Sequence, residues 1–100
     1  MRKIVHMYLA KGTADEGNQN GYAPGEKHSM LIFLATFTDN YDWKEAERVA
    51  NENGWINLEF TKAGKITTEN IAGQDQATRE SFASAINDGS SMLVYSMKED

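Results

Sequence analysis

The chain contains no cysteine, a single proline among 100 residues, and no apolar run longer than the six residues from Met30 to Ala35. Without thiols there is no disulfide framework, thiolate zinc site, iron–sulfur centre or cysteine nucleophile, and the composition fits a reducing compartment, so a cytoplasmic location is expected. A membrane span needs about 20 apolar residues and a signal-peptide core roughly 7 to 15, and neither length is reached. Positive charge is also scarce: 10 Lys and Arg stand against 15 Asp and Glu, a formal net charge of −5. Residues 1–50 hold six basic and seven acidic side chains, and residues 51–100 hold four and eight. The acid is therefore concentrated in the second half, and no basic stripe exists to follow a phosphate backbone; direct nucleic-acid binding is not expected.

What is present is an ordinary globular composition, 40% apolar and 25% charged. Length and composition together predict one α+β domain over residues 1–100, since two cores of about 50 residues each would be marginal. Lys3 to Ala10 is short and rich in β-formers, with Ile4, His6 and Tyr8 on one face and Val5, Met7 and Leu9 on the other. Neither face is plainly polar, so both need cover. Ser29 to Thr38 repeats the pattern and reads as a central strand. Between them, residues 11–28 hold four of the eight glycines and the only proline. This long Gly-rich loop exceeds a hairpin connection, and its composition predicts the most mobile segment of the chain.

Asp42 at the head of Trp43, Ala46, Val49 and Ala50 predicts a capped helix, with Glu45 returning to the cap amide, Tyr41 stapling onto Ala46 and Gly54 ending it. Ile56, Leu58 and Phe60 alternate with polar residues as a strand that stops at the Lys62–Lys65 turn, with Ile66 and Thr67 as a short return strand. A second helix is predicted from Asp75 to Asp88, with Phe82, Ala85 and Ile86 inward and Gly89 as its stop. Met92 to Met97 closes the chain as a strand. Trp43, Val49, Trp55, Leu58, Phe60, Phe82 and Ile86 are expected to share one core.

The resulting expectation is a two-layer sandwich, a four- to five-stranded mainly antiparallel sheet with two helices on one face. From the second strand onward the order is similar to the βαββαβ order of ferredoxin-like folds, with one extra N-terminal strand. That architecture hosts many unrelated functions and implies none in particular. A helix-free sheet face would leave apolar side chains bare, which predicts a homodimer through that face. Val5, Met7, Met30, Ile32, Met92 and Val94 are its candidates, with the parity left open.

No motif supplies a catalytic set. Gly12 to Gly17 has the glycine spacing of a phosphate loop, but Asn18 and Gln19 stand where Lys and Ser/Thr are required, and Asp15 and Glu16 would repel a phosphate. His6 and His28 flank the loop on adjoining strands, and antiparallel pairing would bring them toward each other or toward Asp15 and Glu26. A strand histidine is more often a hydrogen-bonded structural residue, and no metal or cofactor is expected. Asp39-Asn40-Tyr41-Asp42 is a fragment of a calcium loop lacking its glycine and bidentate Glu, and capping accounts for Asp42. The strand methionines Met7, Met30, Met92 and Met97 read as core fillers.

Tyr22 in the glycine-rich loop reads either as an exposed recognition anchor or, equally, as a ring the loop packs onto the sheet, with Asp15, Glu16, Glu26 and His28 as further binding candidates. Missing chemistry and acidic charge point first to a small non-catalytic protein-binding protein of the immunity, inhibitor or accessory type. One alternative is a small ligand-binding domain or enzyme with a pocket between sheet and helices, using His6, Tyr8, His28 or Tyr95. Another is an acidic mimic of nucleic acid.

Overall fold

The computed structural model describes residues 3–98, with side chains up to residue 96, so the Met97 side chain lies outside the described residues. Four strands, β1 (Ile4–Ala14), β2 (Lys27–Thr36), β3 (Trp55–Ile66) and β4 (Ser90–Lys98), form one sheet in the order β3-β1-β2-β4. Every neighbouring pair is antiparallel. Helix α1 (Trp43–Glu52) joins β2 to β3, and a short 3-10 turn (Ile71–Gly73) followed by α2 (Gln76–Asp88) joins β3 to β4. The class is α+β, as expected. β3 runs unbroken through the Lys62–Lys65 segment, so there is no separate return strand and the ferredoxin-like order does not appear among these elements. Pairing with the long β1, Leu9 opposite Lys62 and Met7 opposite Gly64, overrides the local turn signal. Two register shifts, between Leu9 and Ala10 and between Lys11 and Thr13, absorb the mismatch as bulges would.

The two helices lie on opposite faces of the sheet, which corrects the expectation of a single helical layer. Tyr8 stands opposite Ile32, and Ile32 opposite Met92, so these share one face. On that face they bury Ala46, Val49 and Ala50 of α1 together with Met30, Leu34 and Trp55. The other parity, Val5, Leu31 and Phe33, packs with Ile66 and with Phe82 and Ala85 of α2. The anticipated single core is thus two: Val49 and Trp55, with Leu58 and Phe60 at their margin, on one side, and Phe82 and Ile86 on the other. Trp43 sits at the rim with 43% of its surface exposed.

A helix-free face is therefore missing, and the dimer candidates do not share one side. Val5 and Met7 belong to the α2 face, while Met30, Ile32, Met92 and Val94 belong to the α1 face. Val5, Met30 and Ile32 are fully buried within the chain's own fold. The physical reason is connectivity: β3 and β4 are the two edges of the sheet, and α2 crosses the width between them on the side that α1 leaves open.

The helix ends follow local chemistry. The Asp42 carboxylate accepts from the Glu45 backbone N–H (3.0 Å), and Asp75 accepts from Thr78 N–H (2.8 Å), satisfying amides that a helix start leaves free. One detail differs: the Asp42 N–H donates to the phenol oxygen of Tyr8 (2.7 Å), while Glu45 pairs with Arg48 (2.6 Å). A buried strand tyrosine thus takes the place of the reciprocal half of a capping box, and Tyr41 packs on His6 rather than stapling to Ala46.

The glycine-rich connection is shorter than expected, residues 15–26, because β1 continues to Ala14 and β2 begins at Lys27. It is also anchored. Asp15 N–H donates to the Gly54 carbonyl (2.9 Å), Gln19 N–H to the Asn53 carbonyl (2.9 Å) and Gly25 N–H to the Ala14 carbonyl (2.9 Å). The Trp55 indole N–H reaches Asn20 Oδ1 at 2.9 Å. These bonds satisfy backbone groups that the loop would otherwise leave to solvent and dock it at the α1–β3 corner.

Candidate functional site

At the end of the sheet where β2 passes into α1, a cavity of about 290 Å³ opens between the strands and the first turn of the helix. His6 of β1 and Leu34 and Thr36 of β2 form its sheet side, Thr38, Asn40 and Tyr41 come from the connection, and Asp42 and Glu45 come from the helix start. The connection is shaped by two hydroxyl turns: Thr36 Oγ1 accepts from Thr38 N–H (3.3 Å), and Thr38 Oγ1 accepts from Asn40 N–H (3.2 Å). Rings continue outward from the cavity. Tyr41 meets His6 edge-on at 4.8 Å, Tyr8 meets Trp43 at 5.1 Å, and Trp43 meets Phe60 at 5.4 Å.

His6 is the unusual member. Its side chain is 1% exposed, and Nε2 has no hydrogen-bond partner among the described residues. Burial, followed by the nearby Lys65 charge, holds its pKa below the ordinary histidine value, opposed by Asp39 and by a hydrogen bond to the Thr38 backbone. The Thr38 backbone bond favours the protonated ring, so the ring is its donor; because Nε2 has no partner among the described residues, the proton of the neutral ring is assigned to Nδ1. Near neutral pH the imidazole is then uncharged, and Nε2 carries a lone pair. Lys65 Nζ is 3.4 Å from Asp39 Oδ1 and 5.7 Å from the centre of the Tyr41 ring. Burial likewise raises the Tyr8 phenol pKa, so it stays protonated. The carboxylates nearby are already engaged: Asp42 caps α1, and Glu45, its pKa lowered mainly by the Arg48 hydrogen bond, pairs with that guanidinium. Both threonine hydroxyls accept from the backbone and keep an O–H to donate, so the cavity offers uncharged donors, acceptors and aromatic surface.

The two histidines are not neighbours. His6 stands opposite Leu34 and His28 opposite Gly12, toward the two ends of the β1–β2 ladder. Of the loop candidates, Tyr22, Glu26 and His28 do come together: Tyr22 stacks on the His28 ring at 4.0 Å, and Glu26 Oε2 is 3.5 Å from His28 Nε2. His28 is buried, and its Nδ1–H donates to the Tyr95 carbonyl (2.8 Å). Tyr22 is half-buried against Trp55, so of its two readings the packed one holds, with the ring turned inward over the α1-side core. Asp15 Oδ1 accepts from the Gly17 N–H in a local turn (2.8 Å), and Glu16 is exposed. Among the described residues no group of three His, Asp or Glu side chains gathers as a metal would require.

Of the polar groups the sequence offers for a pocket, His6 lines this cavity and Tyr8, His28 and Tyr95 do not; Thr38, Asn40 and Tyr41 do, and their sequence signal is the polar run after Phe37, part of which capping explains. A larger, mainly apolar hollow of about 560 Å³ lies beside α2 at Lys3, Thr68, Phe82 and Ile86. Its polar lining is Lys3, Thr68 and Asn87, and Lys3 Nζ already donates to the Ile86 carbonyl (3.2 Å). Comparison with protein-family models, with curated proteins and with solved structures returned no match.

Proposed function

We propose that this protein is a non-catalytic binding domain for a small polar molecule, with the ligand seated in the cavity beside His6. One observation carries the reading: a buried imidazole whose Nε2 has no hydrogen-bond partner among the described residues lines a cavity. Leaving a buried polar group unpaired costs about 1 to 3 kcal/mol, and a ligand that completes the bond recovers it. Tyr41, 37% exposed, offers an apolar wall beside that group. The alternative of a protein partner gripped by the long loop draws less support, because the aromatic side chain of that loop is stacked on His28.

The test is His6→Phe. The variant removes the unpaired Nε2 together with the bond to the Thr38 backbone, so its stability in urea titration should stay within about 1 kcal/mol of the parent. It should also lose the compounds that a small-molecule screen finds to shift the backbone amide signals of Thr38–Asp42 in the parent. A screen whose hits bind the parent and His6→Phe equally well would refute the assignment.

A further inference from the structure

The nature of the cavity's acceptors narrows the ligand. Resting on the binding reading above, we infer that the ligand is a neutral, polyhydroxylated ring: one hydroxyl donates to His6 Nε2, and the ring's C–H face lies against Tyr41. Anions are disfavoured because, among the described residues, no Lys or Arg lines the cavity, whereas two carboxylates, Asp42 and Glu45, do. A phosphate or carboxylate would meet only uncharged donors there, the Thr36 and Thr38 hydroxyls and the Asn40 amide, with two carboxylates beside it.

Cations are disfavoured by what is already in place. Glu45 is matched by Arg48, the Asp42 carboxylate caps α1, and Lys65 already stands over Tyr41 at 5.7 Å while pairing with Asp39. The same burial and Lys65 charge that keep a proton off His6 oppose an ammonium group beside it. What remains is an uncharged donor. A single hydroxyl would satisfy Nε2, but the cavity presents further acceptors along Asp42 and Asn40 and an exposed aromatic wall. A ring that carries several hydroxyls on its edge and an apolar face matches both. About 290 Å³ suits one such ring rather than a chain of them. Nε2 itself is covered in this conformation, so a ligand reaches it only when a neighbouring side chain moves, and Tyr41 is the exposed ring packed against the imidazole.

The experiment titrates the ¹⁵N-labelled protein near neutral pH with four probes: methyl α-D-glucopyranoside, myo-inositol, cyclohexylammonium and inorganic phosphate. The amides of Thr38–Asp42 and the His6 ring nitrogens are followed. At least one of the two polyols should shift them saturably, with a dissociation constant on the order of 1 mM for so small a ligand. His6→Phe, its fold verified by a dispersed spectrum, should abolish the shift. Saturation by cyclohexylammonium or phosphate with no response to either polyol overturns the ligand class and leaves the cavity as a binding site. Silence to all four probes, together with silence to a general fragment library, overturns both. A polyol shift that survives His6→Phe overturns the role given to Nε2.

Discussion

Gly54→Ala is the sharpest probe of how the glycine-rich connection is held. Gly54 has φ +87°, a backbone region that costs a residue with a side chain about 1 to 2 kcal/mol. A methyl group there would lie 2.3 Å from Asn18 Cα, 2.7 Å from the Gly17 carbonyl oxygen and 2.8 Å from Asn18 N. These are backbone atoms and cannot swing aside as a side-chain end would, so a further overpacking cost of about 1 to 3 kcal/mol is expected. The same movement threatens the bonds that Asp15 N–H and Asn18 Nδ2 donate to the Gly54 carbonyl, each 2.9 Å. The expected loss is about 2 to 5 kcal/mol. With a urea slope of about 1.5 kcal/mol per molar, a loss of 3 kcal/mol moves the midpoint down by about 2 M. Gly25→Ala is the control, since it shares a positive φ of +91° but has nothing within 4 Å of the added carbon. It should lose only the conformational part, about 1 to 2 kcal/mol. Native-state hydrogen exchange should show the Asp15 and Gln19 amides released in Gly54→Ala but not in Gly25→Ala. Equal losses in the two variants, with those amides unprotected in the parent, would refute the docked loop.

Phe82→Ala should cost about 3 to 5 kcal/mol in urea titration, because Phe82 is the large α2 side chain buried against Val5 and Phe33; a loss under about 1 kcal/mol would mean that α2 does not cover that face. Asn20→Ala strips the Trp55 indole N–H of its acceptor and should cost about 1 to 2 kcal/mol by the same method, with no loss if water replaces Asn20 freely. Stability should depend on pH through His6. Its folded pKa is lowered, so the unfolded chain takes up the proton first as pH falls; the contribution is complete above about pH 6.5 and is lost as pH drops toward the folded value. The Lys65 and Asp39 charges face the same ring, and the slope cannot exceed about 1.4 kcal/mol per pH unit for one proton. His6→Phe should flatten that stretch of the curve, and an unchanged slope would show that His6 is not buried neutral.

Local chemistry alone settled the helices. Asp42 and Asp75 cap helices from one position away, and Gly54 and Gly89, with φ of +87° and +96°, stop them, so a short window of sequence contains the whole signal. The alternation in β1 and β2 likewise announced strands needing cover on both faces. It did not say what provides the cover, because a period of two separates the faces without naming their neighbours. Only the chain's path, with α2 passing between the two sheet edges, placed a second helix where a second subunit had been expected. The Lys62–Lys65 segment carries a turn signal that nine residues of β1 outweigh by pairing, and Tyr22 finds its packed place because His28 nearby and Trp55 far along the chain give it a surface to stack on. The candidate site belongs to the same class of fact. His6 and the Thr38–Asp42 segment meet only because β1 and β2 pair with Ile4 opposite Thr36, which carries the polar connection back over the imidazole. Residue type marked His6 as polar on an apolar strand, and tertiary structure decided that its Nε2 has no hydrogen-bond partner among the described residues.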